Sequence, residues 1–434
     1  MKNNILNSYF FILFSFIPAS IIVGPAVSLA NILLIDFSFI LLILYKKDFK
    51  FLSNKTVKLI LLLCLYLVFN SFISKDFFLG VNRNFGFIRF GIFFCAFNYF
   101  FYHQNSFNRI FVIWVATLTI VAVDTYIESF FGQNILGYKD AHLGQRIVSF
   151  FKDEAIVGGY INGFYLVIIG YFLILKNEFL KNNKNIILII SILFFVAIFL
   201  SGERSNTIKA FLGFIIFYGF NEYYKFKTKL FLAFSLFIII GLLLVKSDYL
   251  KMRYGPQLVQ PIVIAKTQIT QSFNNFLFNK TKINDNEEKW VRSSYLNLYK
   301  SGFNIFKENP IFGVGNKNYR SISCMPIKDS DYFCSTHPHQ IYFEFLSEHG
   351  LIGTVVLLLI LFNLIFYKFK IIFQKKNYIQ LGCFIFLLTS FIPLLPSGAF
   401  FSDYNLTLFW VNLSLMYSIE KKTNIFSKNN YNLN

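Results

Sequence analysis

The sequence predicts an all-α polytopic membrane protein with about twelve transmembrane helices and one large, partly helical loop between the ninth and tenth. Three observations carry this. Of 434 residues, 56% are hydrophobic and only 15% charged, more apolar surface than a soluble domain can hide, so the bilayer is the expected solvent. Twelve apolar runs are long enough to cross it. Lysine and arginine alternate between rich and poor in successive short connections, as the positive-inside rule requires of a multi-pass chain.

The runs occupy 8–28, 29–45, 57–74, 85–102, 108–127, 156–175, 185–200, 206–220, 229–246, 341–366, 378–395 and 402–419. Pro18 and Pro25 interrupt the first pair. No small-residue cleavage site follows the first run, which therefore reads as a retained helix and not as a signal peptide.

The basic connections carry Lys46, Lys47, Lys50, Lys55 and Lys58; Arg109; Lys176, Lys181 and Lys184; Lys225, Lys227 and Lys229; Lys368, Lys370, Lys375 and Lys376; and the tail Lys421, Lys422 and Lys428. These belong on the cytoplasmic side. Lys75 and Arg83, then Lys139, Arg146 and Lys152, then Arg204 mark the poorer, outer connections. Both termini are then cytoplasmic. The formal net charge of +19 is accounted for by this topology, and no nucleic-acid partner is expected.

The expected organisation is transmembrane helices 1–9 over 1–246, an outer loop over 247–340, helices 10–12 over 341–419 and a cytoplasmic tail over 420–434. Within the loop, Trp290, Tyr295, Leu298, Phe303 and Phe306 recur near helical spacing and stop at Pro310, which predicts an amphipathic cap helix. Cys64, Cys95 and Cys383 lie inside apolar runs and read as small buried hydrophobes. Cys324 and Cys334 share one polar segment, where an oxidising compartment would leave a disulfide and free thiols equally open.

Titratable groups inside such a chain are costly, and four sets stand out, all on the outer side. The stretch "LGQRIVSFFKDEAIVGGY" holds Arg146, with Asp153 and Glu154 before a helix start they also complement electrostatically. The short turn "FLSGERSNTIKAF" keeps Arg204 close to the membrane, where it either forms part of a site or pairs with Glu203 or lipid phosphate. Arg292 opens the cap helix. In "STHPHQIYFEFLSEHGLIG", His337 and His339 flank Pro338, which restricts the backbone before the tenth helix begins. Glu344 and Glu348 share a helix face with Gln340 and either line the acceptor side or sit in headgroup water.

Fixed arginines suit phosphate oxygens, and a histidine near its own pKa takes a proton from a hydroxyl. Together they fit displacement of a pyrophosphate leaving group by an alcohol. No DxD-like acidic cluster is evident, so the arginines stand where many transferases use a divalent ion, and no metal or other cofactor is expected. "GVGNKN" lacks the strand context and the Lys and Ser/Thr of a phosphate loop; it reads as a turn enabled by Gly313 and Gly315. Gly350 and Gly353 read as sites of close approach by another helix.

The run "HQIYFEFLSEHGLIG" resembles the signature of the bacterial O-antigen ligase and O-antigen polymerase superfamily: His, then Asn, Ser or Gln, nine residues, Gly, two residues, then Gly, Thr or Tyr. His339, Gln340, Gly350 and Gly353 meet every position. "RSSYLNLYKSGFNIFKENPIFGVGNKNYR", "SGERS" and "RIVSFFKDEAIVGGY" extend the resemblance over the second half of the chain. It implies transfer of a glycan from an undecaprenyl pyrophosphate carrier to an acceptor hydroxyl at the periplasmic face of a bacterial inner membrane. His339 would be the base, Arg204 and Arg292 the pyrophosphate binders, with Arg146, His337, Gln340 and Glu344 on the substrates. Glu203 and Ser205 depart from the Ser and Gly that flank the corresponding arginine in many ligases. The acceptor is lipid A core for a ligase and a second lipid-linked glycan for an O-antigen or exopolysaccharide polymerase. A glycan transporter is the alternative of another class, but transporters concentrate charge near the midplane and in internal repeats, and here the charges gather on one face with no repeat.

Overall fold

The computed structural model describes residues 2–103, 107–140, 146–152, 154–175, 183–255, 295–325 and 332–427. Among the described residues there are helices and turns and no strand. The long helices are α1 (Lys2–Val23), α2 (Pro25–Lys46), α3 (Lys55–Phe72), α4 (Phe77–His103), α5 (Asn108–Phe131), α6 (Val157–Ile174), α7 (Lys184–Leu200), α8 (Arg204–Phe220) and α9 (Phe226–Lys246). After them come α10 (Asp248–Tyr254), α11 (Tyr295–Glu308), α12 (Tyr319–Ser323), α13 (Ile341–Phe366), α14 (Phe369–Lys375), α15 (Tyr378–Thr389) and α16 (Asp403–Ser418). Seven stretches among the described residues are long and apolar enough to cross a membrane: α2 to α6, α9 and the run Ile341–Lys375. The remaining apolar runs also fall on helices, but shorter or more polar ones.

Local chemistry sets two boundaries apart from the apolar runs. The first pair of helices divides at Gly24, whose φ of +139° only glycine adopts readily, with Pro25 at the first position of α2; the divide expected at residue 28 falls inside α2. The run 378–395 is helical only to Thr389, because Pro393 and Pro396 each remove a backbone donor and disfavour helix at the residue before. Residues 390–402 therefore form an irregular link. The cap helix α11 buries Leu298, Tyr299, Gly302 and Ile305, whereas Phe303, expected on its apolar face, is exposed.

The centre of the bundle is α6, buried along nearly all its length. It meets α15 backbone to backbone: a Cβ on Gly382 would lie 2.6 Å from the Leu166 carbonyl oxygen, and Gly170 meets Tyr378 as closely. At one end of the bundle basic connections gather, with Lys46 Nζ donating to the Tyr99 hydroxyl at 2.6 Å and Lys376 paired with Glu222. Thr423 to Phe426, expected in a tail, are buried there; Asn424 Nδ2 donates to the Asn98 carbonyl at 2.9 Å.

At the other end α13 is broken at Gly350 (φ 64°, ψ −170°). The segment 310–315 fills the break. Val314 N donates to the Ser347 carbonyl (2.9 Å), Gly315 N to the Glu348 carbonyl (2.8 Å) and Leu351 N to the Pro310 carbonyl (2.8 Å). A Cβ on Gly313 would lie 2.5 Å from His349 N. Gly350 thus admits this turn segment and not, as expected, another helix, while Gly353 does face a helix, beneath Tyr66 of α3. "GVGNKN" is pinned on its far side by Asn70, Asn84 and Asp76: Asn316 N reaches Asn70 Oδ1 (2.9 Å), Asn316 Nδ2 reaches Asn84 Oδ1 (2.6 Å) and Asp76 N reaches Asn318 Oδ1 (2.8 Å).

Candidate functional site

The loop that follows α5 is held by two acids of that helix. Glu128 accepts from Val148 N at 3.0 Å and Ser149 N at 2.6 Å, and Asp124 Oδ2 accepts from Ser149 Oγ at 2.5 Å. The loop is thereby fixed two residues beyond Arg146, whose Nε is buried with no hydrogen-bond partner among the described residues. A buried donor left unpaired is costly. An anion placed there would satisfy it.

Between α7 and α8 the chain turns in three residues, with Gly202 at φ +72°. Glu203 occupies the cap position and Arg204 opens α8. The Glu203 carboxylate accepts from Gly158 N (2.5 Å), Gly159 N (3.2 Å) and Asn206 Nδ2 (2.6 Å), seated on the positive N-terminus of α6. A side chain at Gly158 would meet Ser201 Oγ at 2.5 Å, so glycine is what lets the acid approach. Burial raises the Glu203 pKa to about 7, opposed by these hydrogen bonds and by Arg146.

The histidines precede α13. Gln340 caps it, its Oε1 accepting from Tyr342 N (2.8 Å) and Phe343 N (3.0 Å). His339 is held at φ +54°, its carbonyl accepting from Ser397 N at 2.9 Å, its ring 6.0 Å from that of Tyr295. His337 Nδ1 lies 2.9 Å from Thr336 Oγ1. Burial, then the neighbouring His339, lowers the His337 pKa to about 4; burial lowers that of His339. Both imidazoles are therefore neutral at pH 7 and able to accept a proton. Cys324 and Cys334 are joined in a disulfide, their Cα atoms 4.4 Å apart, which ties α12 to the histidine segment.

One cavity of about 1770 Å³ brings these parts together. Arg146, Arg204, His337 and His339 all line it. Gln340 and Glu344 do not. Gln340 is engaged as the helix cap, and Glu344 is buried with both oxygens accepting from Phe400 N (3.1 and 2.9 Å). The carboxylates expected at an acceptor or in headgroup water are thus internal anchors, Glu348 likewise accepting from Tyr319 N at 3.2 Å. Arg292 lies outside the described residues, as do Trp290 and Asp153.

The cavity also holds cations not singled out above: Arg83, Lys209, Arg253, Lys317 and Arg320. Among the described residues, seven basic side chains line it against two carboxylates, Glu154 and Glu203. Ile208, Ile341, Phe386, Leu395, Leu408 and Phe409 supply an apolar wall. The sequence signal for Arg83 was available, as a cation retained in a lysine-poor outer connection, whereas Arg253 opens a loop that also carries several lysines and does not stand out there. The link 390–402 carried none, because its residues are ordinary apolar ones that line the cavity only once the prolines end α15. An amphiphilic polyanion fits a chamber with these two faces, and a neutral imidazole pair beside it can receive a proton.

Residues 189–358 match the O-antigen ligase family, a span that contains Arg204, Arg253, both histidines and the break at Gly350. No curated protein matches the chain.

Proposed function

We propose that the chain, whose residues 189–358 match the O-antigen ligase family, is an O-antigen ligase-like membrane glycosyltransferase that transfers a glycan from an undecaprenyl pyrophosphate carrier to an acceptor hydroxyl at the periplasmic face of a bacterial inner membrane. The acceptor in this reading is lipid A core. The observation that carries it is the shared cavity, in which an excess of arginines and lysines meets two neutral histidines and an apolar wall.

In the reaction the acceptor oxygen forms a bond to the anomeric carbon as the bond from that carbon to the pyrophosphate oxygen breaks. His339 takes the hydroxyl proton. Arg146, Arg204 and Arg292 hold the pyrophosphate and offset the charge that develops on it, in the place a divalent ion has in many transferases. The apolar wall takes the start of the isoprenoid chain. Twelve crossings with both termini cytoplasmic would turn this end of the bundle to the periplasm, and the Cys324–Cys334 bond supports that orientation, since such bonds persist in oxidising compartments.

Purified protein in liposomes, given a lipid pyrophosphate glycan with or without lipid A core, tests this. Glycan attached to the core is the expected product. Growth of the glycan on the carrier instead would make the chain a polymerase, and abolition by a chelator would remove the arginine-for-metal step.

A further inference from the structure

We propose that Arg253 is a donor-binding residue, a further guanidinium on the pyrophosphate beside Arg146 and Arg204; this rests on the glycan-transfer reading above. Arg253 sits on α10, a seven-residue helix that leaves the end of α9. That helix is locked to the turn between α7 and α8. The Tyr254 ring stacks on Phe199 with centroids 4.4 Å apart, and its hydroxyl lies 2.9 Å from the Phe199 carbonyl and 2.8 Å from Thr207 Oγ1. Arg253 is itself buried, 8% exposed, and donates Nε and Nη2 to the Gly202 carbonyl at 3.2 and 2.9 Å.

Gly202 is two residues before Arg204, so one short turn orients both guanidiniums. The turn cannot shift freely: a Cβ on Gly202 would fall 2.5 Å from the Tyr249 hydroxyl. Arg146, Arg204 and Arg253 all line the same cavity. Glu203, which lines the cavity with them, accepts from the amides of α6 and from Asn206. Burial first, then the neighbouring Arg146 and more weakly Arg204, lowers the Arg253 pKa. A planar fork already fixed at one edge loses little freedom when it grips an oxyanion. A ligand with two linked phosphoryl groups presents more oxygens and more charge to three guanidiniums than a single phosphate does.

A merely structural Arg253 would stabilise the turn and leave anion affinity alone. Calorimetric titration of the full-length protein in detergent with inorganic pyrophosphate and with phosphate separates the roles. Wild type should prefer pyrophosphate. Arg253→Gln should weaken it on the order of tenfold, about the loss of one charge-assisted contact, and raise the donor KM while leaving the acceptor KM unchanged. Arg253→Lys, which keeps the charge without the fork, should lose less. Folded Arg253→Gln binding pyrophosphate as tightly as wild type would overturn the proposal and leave the glycan-transfer reading intact. If Arg253→Gln does not fold, unchanged affinity in Arg253→Lys overturns it equally. Failure of wild type itself to bind pyrophosphate would remove the donor reading with it.

Discussion

The imidazole rings of His337 and His339 lie 3.9 Å apart, centroid to centroid, across Pro338. Two cationic rings could not sit so close without strong repulsion, so the pair takes up at most one proton near neutral pH. His339 has a backbone held in place by Ser397, whereas the His337 ring lies beside Thr336 Oγ1 and lines the cavity. The two have different roles.

His339→Ala is expected to reduce transfer by about 10² to 10⁴-fold, the usual worth of a positioned base, without loss of membrane insertion. His337→Ala should cost less and act mainly on acceptor KM. Single-turnover rates for both variants check this; full activity of His339→Ala would remove it as base.

Acid should affect stability through His337. Its folded pKa of about 4 lies below the ordinary 6.5. Between those values the unfolded chain binds a proton that the folded one does not, so stability falls as pH drops from about 6.5 towards 4 and levels off below. Thermal unfolding of His337→Gln across that window should show a shallower fall than wild type. Parallel curves would mean that His337 contributes nothing to it.

Much of the fold was legible because hydropathy acts on each segment alone. Apolar runs became helices, although the first two divide at Gly24 and Pro25 and not at residue 28. The histidine signature and Arg146 were visible as titratable groups in an oily chain. What stayed hidden depends on contacts across the fold. Gln340 and Glu344 look like ligands by residue type, yet each is consumed by amides: those of Tyr342 and Phe343, and that of Phe400. Nothing local in "SDYLKMRYG" says that Arg253 returns to the turn before Arg204.

The Glu344 anchor makes a distinct prediction. Its carboxylate holds Phe400 N, and the link 390–402 that ends there also supplies Ser397 to His339. Glu344→Ala leaves a buried amide without its acceptor, a loss of about 1–3 kcal/mol. Transfer should fall although the residue does not line the cavity, and Glu344→Gln, which retains one acceptor oxygen, should recover part of it. Equal loss in both variants would point to the charge and not the anchor.

Gly350→Ala tests the interlock with segment 310–315. At φ 64° and ψ −170° the backbone is in a region nearly confined to glycine, costing about 1–3 kcal/mol for another residue, and a Cβ there meets Ile311. The expected outcome is a lower melting temperature together with faster proteolysis within 295–325, because α11 and α12 lose their seat on α13. A wild-type melting curve would show that the segment is held by the asparagine contacts alone.

Glu203 gives the cavity a charge that changes near neutral pH. Its pKa of about 7 means the carboxylate is largely ionised at pH 8 and largely protonated at pH 6. Ionised, it offsets part of the positive charge of Arg146 and Arg204; protonated, it leaves that charge uncompensated. Wild type should therefore gain affinity for a pyrophosphate ligand as pH falls from 8 to 6, relative to Glu203→Gln. The variant keeps an oxygen for Gly158 N but has no charge to lose, so it should bind more tightly than wild type at pH 8 and about equally at pH 6. The comparison between the two proteins at each pH cancels the ligand's own ionisation. A constant ratio of affinities would show that Glu203 is spent wholly on the α6 amides and does not act on the site.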